Sequence, residues 1–233
     1  MLDFSLGLAL FDLVPVALTA VAFWFIARIL HDLAPSYYPM AVLGGGLVIA
    51  GGLSKATWKL VAAAAGVDLT WLSNALFPLM APGFVLLAVA VWAGVRTWRG
   101  RQALLGWPAA LGLILIAFGA AAVRFWWLDI PRGWFLPFLV LVSFGNLTVG
   151  LLLIRAAFQL RRWWSAMLLS VDLAMIFALQ PIAMASPKTI AMHWIEQSLT
   201  AFGTGCFAVG AYLLWCAVRG RQGLQVEPET TRS

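Results

Sequence analysis

The stretch LFPLMAPGFVLLAVAVWAGV, residues 76–95, contains twenty consecutive residues without a charged side chain. At a rise of 1.5 Å per residue, a helix of this length spans about 30 Å, the thickness of the hydrocarbon core of a bilayer. The stretch shows no alternation of apolar and polar residues, which a membrane β-strand would require. Because lipid offers no partner for backbone N–H and C=O groups, such a stretch indicates a transmembrane helix.

Similar stretches recur along the chain, which has 233 residues, 63% of them hydrophobic and 10% charged. A soluble domain averages about 45–50% apolar and about 25% charged residues. We predict an all-α integral membrane protein, a bundle of seven transmembrane helices over residues 1–221, followed by a polar cytoplasmic tail at 222–233. The predicted spans are 5–29, 38–60, 72–96, 104–126, 134–158, 163–184 and 193–218. The second span is the least regular, because Ser54 to Lys59 is polar.

The distribution of Lys and Arg predicts the orientation. Ten of these residues fall on the side of the C-terminus and five on the other side. The positive-inside rule then places the N-terminus outside and the C-terminus in the cytoplasm. We expect a multi-pass protein of the bacterial cytoplasmic (inner) membrane whose basic loops contact lipid headgroups. Nucleic acid is not an expected partner, because no binding module accompanies the basic loops.

Spans three, five and seven share a weak pattern that has two interpretations. Each begins near a Trp, carries a small or polar residue twelve positions later, and ends in basic residues. Three related helical hairpins after a lone first helix would produce it. Equally, any helix running from outside to inside tends to have Trp at its start and Arg at its end.

The predicted outer half carries five acidic and five basic residues, several near or within the membrane, where an ionisable group must be paired or hydrated. They are Asp3, Asp12, Asp68, Asp129, Glu196, Lys55, Lys59, Arg124, Arg132 and Lys188. Lys55 and Lys59 share a helix face, so a shared counter-ion is favoured: Asp12, Asp129 or an anionic ligand. Alternatively, both lysines extend to water at the interface.

A second group of candidates lies on the last two spans. His193, Glu196 and Gln197 share one side of the seventh helix, where they could orient a ligand or bond neighbouring helices. A metal site is not expected, because the other histidine, His31, lies across the membrane. Asp172, near the middle of span six, could relay protons or be neutral and hydrogen-bonded to Ser143 or Asn146.

Small residues and prolines indicate how the helices pack. Gly46, Ala50 and Ser54 form a stripe that predicts close packing of the second span. Prolines within spans one, three and six predict kinks there. They are Pro15, Pro78, Pro82 and Pro181.

The leading hypothesis is a transporter-like or receptor-like protein that binds a small anionic or lipid-like ligand in an outward-facing polar cavity among helices one, two, four, six and seven. Its predicted site residues are Lys55, Lys59, Arg124, Asp129, Asp172, His193, Glu196 and Gln197, with no cofactor. One alternative is an intramembrane enzyme that acts on a lipid with His193 and Glu196 as acid and base. The other is a non-catalytic structural subunit with a partner membrane subunit. The sequence carries no recognised catalytic motif.

The orientation can be tested with alkaline phosphatase fusions, because that enzyme is active only outside the bacterial cytoplasm. We expect activity when it is fused after residue 131 and none when it is fused after residue 102, at equal expression on immunoblots. The opposite pattern would reverse the predicted topology.

Overall fold

The computed structural model describes the backbone of residues 6–184 and 190–225 and the side chains of residues 6–179 and 191–221. Within these ranges there are seven long helices and no strand. We label them α1 (Leu6–Leu33), α2 (Tyr38–Ala65), α3 (Thr70–Trp98), α4 (Trp107–Trp127), α5 (Phe135–Gln159), α6 (Trp163–Met184) and α7 (Ile190–Gln225).

All of these helices except α6 are long and apolar enough, over their described residues, to cross a membrane. Helix α6 has 22 residues and a described apolar stretch from Trp163 to Leu179. The predicted all-α membrane bundle is therefore confirmed. Helix α7 continues to Gln225, beyond the predicted boundary at residue 221. Asp3, Lys188 and the side chain of Pro181 lie outside the described residues.

Two helices are interrupted three residues ahead of a proline. Helix α1 is interrupted at Asp12, ahead of Pro15, and α3 at Ala75, ahead of Pro78. Proline has no N–H to donate to the carbonyl four residues before it, and its ring crowds that carbonyl. The interruption therefore appears in the turn that precedes each proline. By contrast, α3 continues through Pro82.

Six of the helices form a closed ring in the order α1, α2, α3, α5, α6 and α7, and α7 packs back against α1. Helix α4 lies outside this ring, against α3 and α5. Helices α1 and α7 start at the same end of the ring. We call it the lysine end, because Lys55 and Lys59 lie in that half of α2, and the opposite end the arginine end.

Glycines bring the backbones of α2 and α3 into direct contact. A Cβ added to Gly44 would lie 2.7 Å from the carbonyl oxygen of Gly83, and one added to Gly83 would lie 2.8 Å from that of Gly44. About two helical turns further toward the lysine end, a Cβ on Gly51 would lie 2.9 Å from the carbonyl oxygen of Leu76. Only glycine fits at such separations, so these positions set the spacing of the two helices.

The predicted packing stripe on α2 is wrong. A Cβ on Gly46 would meet nothing within 4 Å, and Ala50 is exposed. The face that packs against α3 instead contains Gly44, Val48 and Gly51. Helix α2 has small residues on several faces, so their spacing alone does not select the buried one.

Two substitutions on α2 test this contact. We expect Gly44→Ala to lower the free energy of unfolding by about 1–3 kcal/mol, because the added methyl group meets backbone atoms of α3 that cannot move independently. Gly46→Ala, two residues away in open space, is the matched control and should be neutral or slightly stabilising. SDS titration in mixed micelles measures both, and equal effects would contradict the proposed contact.

Candidate functional site

A cavity of about 350 Å³ lies inside the ring, and each of the six ring helices contributes to its lining. Helix α4 contributes no residue, so the predicted place of the fourth helix in the cavity is wrong. The lining is mostly apolar. Its polar members are Thr19, Lys55, Asn146, Asp172, Thr200 and Thr204.

Three aromatic side chains form the floor of the cavity, on the side toward the arginine end. Phe23 contacts Phe84 and Phe207 edge to face, with ring centroids 6.4 and 5.8 Å apart. Beyond this aromatic floor lies a second, apolar cavity of about 30 Å³, lined by residues that include Ile26 and Leu30. The larger cavity therefore occupies the half of the ring toward the lysine end.

Asp172 faces this cavity close to the floor. A Cβ on Gly203 would lie 3.5 Å from its Oδ1. Because Gly203 precedes Phe207 by four residues, the carboxyl group lies about 6 Å above the floor along α7. Within residues 6–179 and 191–221, Asp172 makes no hydrogen bond or ion pair.

The two predicted hydrogen-bonding partners of Asp172 have different positions. Ser143 is exposed on the outer surface of α5, so the predicted hydrogen bond between Asp172 and Ser143 is wrong. Asn146, one turn further along α5, lines the same cavity as Asp172. No hydrogen bond joins the two side chains among the described residues.

Two threonines on α7 line the cavity and donate hydrogen bonds to backbone carbonyls of their own helix. The Thr200 hydroxyl donates to the carbonyl of Glu196 at 2.7 Å, and the Thr204 hydroxyl donates to the carbonyl of Thr200 at 2.9 Å. A hydroxyl has one proton, so each side chain has already used its donor within the helix. What remains for a ligand is the capacity to accept.

Lys59 forms a buried ion pair with Asp12, the residue at which α1 is interrupted. Nζ of Lys59 lies 2.5 Å from Oδ2 of Asp12, and both side chains are 7% exposed. Asp12 Oδ1 is buried and has no hydrogen-bond partner among the described residues. Of the counter-ions predicted for the two lysines, Asp12 therefore serves Lys59. Lys55, one turn earlier, lines the cavity.

The other predicted site residues lie elsewhere. Arg124, near the end of α4, donates from Nε to the carbonyl of Gly133 at 3.1 Å. Asp129 is exposed in the following turn, at a φ of 48°. His193, Glu196 and Gln197 are half-buried at the start of α7 and are not among the cavity's lining residues. Lys55 and Asp172 are thus the two predicted residues that line it.

The described residues contain no group of three His, Cys, Asp or Glu side chains that could hold a metal ion. Comparisons with protein-family models, with curated proteins and with solved structures found no match.

Replacing one partner of the buried ion pair should destabilise the fold. We expect Lys59→Met to lower the free energy of unfolding by about 3–5 kcal/mol, because it leaves the Asp12 carboxylate buried without a counter-charge. Adding Asp12→Asn should recover part of that loss, because the second substitution removes the orphaned charge. SDS titration of the two single variants and the double variant measures this coupling, and additive effects would contradict it.

Proposed function

We propose that this membrane protein binds a small amphiphilic molecule in the cavity enclosed by the six ring helices. The observation that carries the proposal is Asp172, which faces a largely apolar space without a partner among the described residues. A polar group embedded at membrane depth is costly unless something satisfies it. A bound molecule with a polar group near Asp172 and an apolar remainder would do so.

The size and lining of the cavity support a small ligand. Its volume of about 350 Å³ lies at the lower end of ligand pockets, which span about 300–1,000 Å³. Such pockets combine apolar walls with a few converging polar groups. Here the walls include Val142 and Met175, and the polar groups are concentrated on α5, α6 and α7.

The lipid-like character of the predicted ligand has more support than its negative charge. The predicted anion site used Lys55, Lys59 and Arg124. Lys59 is paired with Asp12, and Arg124 lies on the helix outside the ring. Of these three cations, Lys55 alone is a lining residue of the cavity.

The two alternative functions have less support. The lipid-acting enzyme would use His193 and Glu196, and neither side chain lines the cavity. A purely structural subunit would need no internal cavity of this size. The excess of arginine at the opposite end favours an outward-facing lysine end, so we propose that the cavity lies in the outer half of the membrane.

Filling the cavity should abolish binding. We expect Thr19→Phe to eliminate saturable binding of 1-octanol, octylamine and octanoate. The added phenyl group would occupy the cavity space between α1 and α7. The matched control is Val21→Phe, on the exposed face of the same helix, which should bind as the unsubstituted protein does. Equilibrium dialysis against nanodiscs, with empty nanodiscs subtracted, measures the binding.

Two results would overturn the proposed function. One is that none of the three probes binds above the empty nanodiscs. The other is that Thr19→Phe and Val21→Phe bind equally well, which would place the binding outside the cavity.

A further inference from the structure

We propose that the cavity selects a protonated amine, with the ammonium group at Asp172 and the apolar part of the molecule along the walls. This inference rests on the proposed ligand-binding function and adds the chemical class of the ligand. Its basis is the combination of an unpartnered carboxyl group and a threonine acceptor near the floor of a largely apolar cavity.

The polar groups nearest the floor on α6 and α7 are Asp172 and Thr204, and both are acceptors. Asp172 accepts through both oxygens when ionised, and the hydroxyl proton of Thr204 is engaged with the backbone carbonyl of Thr200. An ammonium group carries three donors and no acceptor, so it matches this set. A carboxylate ligand would instead place its oxygens against oxygens. Asn146 and Thr19 also line the cavity, and both can donate or accept, so they are compatible with either.

The charge balance also favours a cationic ligand. An ionised carboxylate surrounded by apolar residues is costly unless it is paired, and the described residues give Asp172 no cation. An ammonium ion supplied by the ligand would neutralise it.

Gly203 lies beside Asp172, and both residues line the cavity. A Cβ at position 203 would lie 3.5 Å from Oδ1 of Asp172 and 3.2 Å from the Cβ of Met175. The glycine thus leaves space next to the carboxyl group.

Lys55 lies further from the floor than Asp172. On α2 the level of the floor is marked by Val48, which packs against Gly83, the neighbour of Phe84. Lys55 is seven residues beyond Val48, about 10 Å along the helix toward the lysine end. Its side chain therefore starts about 4 Å nearer the lysine end than the carboxyl group of Asp172, which lies about 6 Å above the floor.

Three probes that share an eight-carbon chain and differ in their polar group test the inference. We expect octylamine to bind more tightly than 1-octanol, and octanoate to bind least tightly, in equilibrium dialysis against protein-containing nanodiscs at neutral pH. Asp172→Asn keeps the size of the side chain and removes its charge. It should weaken octylamine binding by about tenfold or more and weaken 1-octanol binding by much less, because a hydroxyl can hydrogen-bond to either side chain.

Asp68→Asn is the matched control, because it removes an exposed carboxylate that accepts a hydrogen bond from Trp58 outside the cavity. It should leave the binding of all three probes unchanged. Equal octylamine binding by Asp172→Asn and the unsubstituted protein would overturn the amine assignment. Tightest binding of octanoate would also overturn it, and would favour an anionic ligand at Lys55. Failure of all three probes would instead overturn the ligand-binding function itself.

Discussion

The direct contact between the backbones of α2 and α3 at Gly44 and Gly83 is the constraint on which the ring depends. Lipid is as apolar as the side chains of the helices, so burial of apolar surface does not by itself hold them together. Close packing does, and glycine allows the closest approach. The same contact fixes Val48 and Phe84, which continue from it into the cavity wall and floor. The shape of the cavity therefore follows from the spacing of α2 and α3, which is set at Gly44 and Gly83, outside the cavity.

The helices could be predicted from the sequence because bilayer thickness dictates the length of an apolar stretch. The second span was predicted to end five residues early. It runs to Ala65 rather than to residue 60 and ends at Gly66, which caps it with a left-handed φ of 66°. The burial of Lys59 against Asp12 could not be predicted, because hydropathy along one helix contains no information about a charge on another.

The cavity was only partly predictable for a similar reason. A helical pattern shows which residues share a face, but not which helices are neighbours. Lys55 and Asp172 were identified because charged residues inside a membrane are rare. Arg124 met the same criterion and lies on α4, outside the ring. The aromatic floor carried no signal, because its members are three of fifteen phenylalanines spread along the chain.

Thiol labelling tests whether the ring encloses a cavity at membrane depth whose few polar groups are accessible to water. In a chain carrying Cys206→Ala and Cys216→Ala, a cysteine is introduced by Thr204→Cys, inside the cavity, or by Val209→Cys, on the exposed face of α7. N-ethylmaleimide requires a hydrated thiol. We expect rapid labelling of the T204C variant and slow labelling of the V209C variant in bilayers. Equally slow labelling of both would contradict this expectation.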